Sequence, residues 1–492
     1  MQTSQLQQRL GLFSATTIVI GSMIGGGIFT NPSVMAGYVL TPGIMLGLWI
    51  FGGLFTLLGV LAYGELAAMA PRAGGQYVFL SEAFGRFWGF LYGWTLFLVI
   101  QTGFCAAVSI AFGKFLGDFF PALGEQNVLV SVPLLDGVPA LTGPNAPAFL
   151  MRFELNSAQL VGCGVIVVLT AINILGVSQG AFVQNLFTVL KVAALAALIV
   201  FGLARSEGAA DHFTPLLEPI PGPKAAEIGL LAALAVALSK ALFAYDAWNS
   251  VTFVAEEVRR PEQTLPRSLL TGTLVTTLVY VLTTAAYMAV VPLPEMAAIK
   301  ENRVATFVAE QLFGSVGVNL IIVAILISTF GCVNGLILSG ARVCYAMARD
   351  GLFFRSCATL HATRRTPAVA LLYQGIWSCI LTVSGSFNAL LTYTTFASVL
   401  FGALTVAGIY RLRLTEPDRP RPYRCWGYPF TPYLYLVIAV PFLVYVVLGD
   451  PVSTGAGLLL VSTGIPVYFG WIESAPVPGV IPGRAARPDT LA

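Results

Sequence analysis

The chain has 492 residues, with 26 Lys and Arg against 23 Asp and Glu, so only 10% are charged. A soluble domain carries about 25%, whereas here 57% of residues are hydrophobic and the mean hydropathy is +0.82. A secreted disulfide scaffold and a disordered chain are excluded, and a net charge of +3 supplies no basic patch for nucleic acid.

The apolar residues fall in continuous runs rather than the alternating segments of about ten residues that mark an outer-membrane barrel. The expected fold class is an all-α polytopic membrane protein embedded in a lipid bilayer. Twelve spans are expected near 14–37, 43–70, 88–118, 158–176, 180–204, 228–254, 268–291, 316–345, 367–386, 389–411, 432–449 and 453–472. No soluble domain fits between them, so 1–492 reads as one membrane domain whose longest loops are 119–157 and 205–227. The first run is too long for the core of a signal peptide and lacks a clean cleavage site, so it is expected to remain as a span.

Placing the N-terminus inside puts 18 Lys and Arg on the cytoplasmic side and six outside, with Lys191 and Lys240 within spans. That bias predicts two cytoplasmic termini. The seven cysteines fall in spans or on the cytoplasmic side, without a C-x-x-C, so neither disulfides nor a cysteine metal site is expected. His212 and His361 are loop residues, and no cofactor is implied.

The first run reads IVIGSMIGGGIFTNPSVMAGY. Gly25, Gly26 and Gly27 in succession, with Pro32 beyond, weaken the helix in mid-membrane. Close helix packing is the alternative, because Gly21 and Gly25 form G-x-x-x-G. The sixth run carries FAYDAWN from Phe243 to Asn249, and Asp246 there costs roughly 2.5–3.5 kcal/mol in lipid. A structural acid satisfied by neighbouring backbone is the alternative for Asp246.

The two interruptions stand in first and sixth place, five spans apart, as in two five-helix repeats of inverted orientation. Such pairing points to a transporter site. A broken helix exposes N–H groups that suit a carboxylate and C=O groups that suit an ammonium. The α-carboxylate and α-amine of an amino acid match those ends.

Seven segments together resemble a known group of proteins. They are MIGGGIF at 23–29, YGELAAMAPRAGGQY at 63–77, QNLFTVLK at 184–191, FAYDAWNSVTFVAEEVRRPEQTLPRS at 243–268, STFGCVNGLILSGARVCYAMARDGLF at 328–353, RTPAVAL at 365–371 and RPYRCWGYPFTP at 421–432. The chain resembles the amino acid–polyamine–organocation (APC) superfamily, and within it the L-amino-acid-type exchangers and their bacterial relatives.

The resemblance implies a five-plus-five inverted repeat like that of the leucine transporter. The first repeat would be 14–204, the second 228–411, and 432–472 would add two helices. It implies that amides around Ile24, Gly25, Gly26 and Gly27 hold the substrate carboxylate. Carbonyls near Met23, Phe243, Ala244 and Asp246 would hold the amine, with Phe243 closing from outside and Asn249 at the unwound segment. Gln101 and Thr102 lie where a chamber wall is expected, or else join helices by hydrogen bonds.

Lys191, several residues inside an apolar run, reads either as functional or as snorkelling to the interface. The resemblance favours the first: its ammonium takes the place of a sodium ion, with Ser328 and Thr329 as partners. Lys240 has no counterpart and is expected to snorkel outward. Glu65, Glu256 and Glu257 read either as a Glu–Arg brace at the inner gate or as plain interfacial residues. The chain departs from the pattern at Gly26, where Ser or Thr is common, and at Asp246, where some members have Gly. A disulfide-linked heavy chain is not implied, because 119–157 holds no cysteine.

The expected function is sodium-independent transport by alternating access, as an exchanger of neutral L-amino acids in a plasma or bacterial inner membrane. Proton-coupled uptake and basic amino-acid or polyamine antiport are the alternatives, and a non-transporting sensor is the rival of another class. An intramembrane enzyme lacks support, since neither H-E-x-x-H nor G-x-S-x-G occurs.

Overall fold

The computed structural model describes residues 6–133, 152–204, 209–299, 301, 303–384, 387–449 and 451–472. Nine helices among these are long and apolar enough to cross a membrane: Leu12–Ala36, Pro42–Met69, Arg86–Phe119, Ser157–Leu175, Val177–Ala204, Leu230–Phe253, Pro261–Val290, Val304–Arg349 and Thr394–Thr415. Three shorter apolar helices, Ala368–Ser384, Phe430–Tyr445 and Gly457–Gly470, stand where the ninth, eleventh and twelfth runs are expected. Helices are referred to below by those ordinal places.

The first span lies at the centre, packed on the fifth, seventh and eighth. Ile18, Ile24 and Ile28 are sealed from solvent, as befits a helix enclosed by others. The eighth span is longer than expected. It starts at Val304 and bends at Gly314, whose φ of 63° only glycine adopts without strain. Glu310 and Gly314 interrupt the hydropathy of that first stretch, which is why the apolar run begins at 316. The third span widens into a π turn at Leu96–Ile100, beside the centre of the molecule.

Both long loops hold structure that hydropathy does not signal. Strand β1 (Val128–Pro133) pairs antiparallel with β2 (Arg152–Asn156). Asn156 then caps the fourth span, its side chain accepting from Gln159 N at 3.1 Å while Gln159 Oε1 accepts from Asn156 N at 2.8 Å. Part of loop 119–157 lies outside the described residues. The chain after the fifth span folds onto the end of the first-span helix, where Leu40 N donates to Ile220 O and Thr41 Oγ1 to Glu218 O.

The opposite, arginine-rich face is closed by charge pairs. Arg342 is wholly buried and grips buried Glu257 with Nε and Nη2 at 2.9 and 3.1 Å. The carbonyl of the same Glu257 accepts from Arg9 N and Leu10 N, tying the start of the first span to the end of the sixth. Buried Glu65 takes Arg413 at 3.0 and 2.6 Å, and Cys425 N at 2.6 Å. Glu256 pairs with Arg349, and Asp350 with Arg72, both more exposed. The glutamates thus join a brace between spans; Arg342 faces the protein interior rather than lipid.

Candidate substrate-binding site

The first span breaks after Met23. Ile24 leaves the helix (φ −77°, ψ 87°), and a new helix, Gly27–Ala36, begins after Gly26. The sixth span runs from Leu230 to Tyr245, becomes extended at Asp246, and turns through Ala247 with φ 64° before Ser250–Phe253. A positive φ at alanine is strained and is held by its surroundings. The breaks lie side by side: a Cβ built on Gly27 would stand 3.1 Å from the Ala244 Cβ.

Each break leaves polar backbone that must find partners. On the first span, nearly all the carbonyls are taken. Lys191 Nζ donates to Gly21 O at 3.0 Å, Ile24 O at 2.7 Å and Ser328 O at 2.8 Å, which uses all three of its protons. Ser328 Oγ lies 3.0 Å from Ile24 O and 3.1 Å from Gly25 O, and Cys332 Sγ donates to Ser22 O. Tyr280 Oη lies 2.9 Å from Met23 O and 2.8 Å from Ala244 O, so one hydroxyl joins the two breaks. The buried Lys191 ammonium therefore sits at the carbonyl end of a half-helix, where the backbone dipoles are negative.

The amide end is different. Gly25 N donates back to Met23 O at 2.9 Å, but the N–H groups of Gly26 and Gly27 find no acceptor among the described residues. Both glycines line a cavity between the two breaks. Met23, Gly25, Phe243, Ala244 and Asp246 share that lining with Phe104, Val108, Cys332 and Leu336. Phe243 stacks on Phe104 at 5.4 Å and 22°. The cavity thus joins a free amide pair, the carbonyl end of a second half-helix and an apolar wall.

The structure separates some residues that sequence reasoning grouped. Ile24 lies behind the break, its carbonyl held by Lys191 and Ser328. Thr329 Oγ1 donates to Ile325 O within its own helix and does not reach Lys191. Ser328 meets Lys191 through its carbonyl, not its hydroxyl. Gln101 Nε2 donates to Leu336 O at 2.7 Å and faces an adjoining pocket with Asp246. Asn249 donates to Gln76 Oε1 at 2.7 Å and also lies outside the main cavity. Tyr280 and Cys332 were missed; neither stands in a run that distinguishes it from an ordinary helix residue.

Paired half-helices meeting at a buried cavity define a multi-pass membrane protein with a transporter-like site. The amino acid permease family matches residues 10–470, and the chain belongs to that family, within the APC superfamily. The serine/threonine exchanger SteT of Bacillus subtilis (strain 168) is 31% identical over 468 residues, 94% of this chain and 97% of that protein. The large neutral amino acids transporter small subunit 2 of Homo sapiens is 32% identical, covering 94% of this chain and 80% of its own length. The b(0,+)-type amino acid transporter 1 of Mus musculus is 28% identical, over 96% and 91%.

Proposed function

We propose that the chain is a sodium-independent exchanger of neutral L-amino acids that works by alternating access about the two interrupted helices. The observation that carries this reading is the free Gly26 and Gly27 amide pair facing the carbonyl end of the sixth-span helix across one cavity. The amides receive the α-carboxylate, and the carbonyls of Phe243, Ala244 and Asp246 receive the α-amine. Phe104, Val108, Phe243 and Leu336 suit an uncharged side chain. The names of SteT and of the large neutral amino acid transporter support exchange and neutral substrates.

Lys191 supplies a fixed positive charge where a sodium-coupled carrier places its ion. The two repeats, 14–204 and 228–411, hold one break each. Both termini lie in the cytoplasm, so the closed arginine-rich face is the inner one, and Phe243 covers the substrate from outside. Inward opening then requires the Leu10–Glu257 contacts to part while the cavity remains formed.

Purified protein in liposomes preloaded with unlabelled serine, threonine or leucine tests the reading. Labelled neutral amino acid should enter only loaded vesicles. Binding without entry would support a sensor, and entry into empty vesicles driven by a pH gradient would support proton coupling. Preference for lysine or putrescine over neutral amino acids would support the basic amino-acid or polyamine antiport alternative.

A further inference from the structure

The first and seventh spans lie side by side, and their arginine-rich ends carry a basic patch. Arg9 stands just before the first span, Arg259 and Arg260 just before the seventh, and Arg267 near its second turn. All four are exposed. We propose that this seam binds an anionic phospholipid, whose phosphate bridges the arginines while its acyl chains run along the apolar groove below them.

The backbone brings the arginines together. Arg9 N and Leu10 N donate to Glu257 O, and Arg259 N donates to Leu10 O at 2.8 Å, so Arg9 and Arg259 flank one contact. Arg260 caps the seventh span at φ 48°, a left-handed conformation that is strained in a residue other than glycine and must be held by its surroundings. Thr16 Oγ1 lies 3.5 Å from Thr271 Oγ1, and Thr271 Oγ1 donates to Arg267 O at 2.7 Å. That places Arg267 on the face that meets the first span.

The charge of the patch is unanswered. Glu256 and Glu257 are taken by Arg349 and Arg342. Arg9 Nη1 donates to Ser178 Oγ and Arg259 Nε to Gln8 O, both neutral groups. None of the four pairs with a carboxylate among the described residues, Glu262 in the first turn of the seventh span included. Below them the surface is apolar. Phe13, one turn before Thr16, and Leu270 and Leu274, one and two turns after Arg267, are all exposed.

Guanidinium groups hold phosphate through paired N–H donors, and basic pockets between membrane helices take anionic headgroups. A soluble anion or an acidic peptide would leave the groove uncovered, whereas a phospholipid fills both halves of the seam. The bound headgroup also spans the contact between Leu10 and Glu257, and so fastens the first span to the sixth.

Thermal melting of the purified full chain in detergent, stripped of lipid and titrated with dioleoylphosphatidylglycerol or dioleoylphosphatidylcholine, tests the proposal. The anionic lipid should raise the melting temperature saturably, and the zwitterionic one should not. Arg9→Gln and Arg260→Gln should each weaken the apparent affinity roughly fivefold. Arg364→Gln, at an exposed arginine in the loop after the eighth span, should leave it unchanged. Each variant is compared with its own lipid-free melting, so that lost stability is not taken for lost binding. An equal shift by both lipids would overturn the proposal, as would a shift that Arg9→Gln and Arg260→Gln both leave intact. Equal weakening by Arg364→Gln, or the same shift with glycerol phosphate at equal concentration, would overturn it too.

Discussion

Lys191 Nζ stands 2.7 Å from the carbonyl oxygen of Ile24, the residue at which the first span leaves its helix. A charged donor on a freed carbonyl holds the break open without a metal ion, and the same ammonium reaches Ser328 O on the eighth span. The break is therefore pinned to its neighbours from the carbonyl side, while its amide side stays free for an anion.

Removing that pin should be costly. Lys191→Ala leaves the carbonyls of Gly21, Ile24 and Ser328 short of a donor, at about 1–3 kcal/mol for each one left unpaired. A lower melting temperature in detergent and loss of most exchange are expected.

Gly26 and Gly27 should respond differently to the same substitution. A Cβ on Gly26 meets nothing within 4 Å, so Gly26→Val should express and melt like the wild type. Its side chain would fill the cavity where the amides are free, and amino-acid binding should be lost. Gly27→Val drives a branched side chain against Ala244, so it should lower the melting temperature. Normal substrate affinity in Gly26→Val would remove the triplet from the site.

Tyr280 is expected to couple the two breaks. Tyr280→Phe keeps the ring packed edge-on to Trp49 at 5.2 Å but removes the hydroxyl that serves Met23 O and Ala244 O. About 1–3 kcal/mol of stability should be lost. Exchange should slow by more than expression falls, measured as turnover per folded molecule.

The buried Glu257–Arg342 pair should behave as a unit. Arg342→Leu strands an acid inside the protein, at about 3–5 kcal/mol. The double variant Glu257→Gln with Arg342→Leu should recover part of that loss in thermal melting. Equal destabilisation by the single and double variants would mean that the pair is not what holds the arginine-rich face.

Much of this was legible in the chain. Long apolar runs fix the spans because a bilayer core demands them, and the glycine triplet and FAYDAWN stand out because each weakens helix where helix is obligatory. Lys191 stood out for the same reason, as a charge where charge is costly. Its partners did not. Thr329 looked as good as Ser328, yet one helical step turns its hydroxyl back to Ile325 O, and the useful acceptor on Ser328 is its backbone. Gly25 looked equivalent to its neighbours, but its N–H is consumed by Met23 O. Tyr280 sits in a run of threonines, valines and leucines that reads as an ordinary span. Arg342 reads as one more basic residue near the membrane edge, and only the fold brings Glu257 against it. Pairings across long sequence separations leave no periodic trace.

Transport without sodium tests the central claim most directly. In liposomes preloaded with unlabelled amino acid, uptake of labelled neutral amino acid should be unchanged when choline replaces sodium on both sides, and should collapse in Lys191→Ala. Uptake that stops without sodium in the wild type would contradict the account, as would full exchange in the alanine variant.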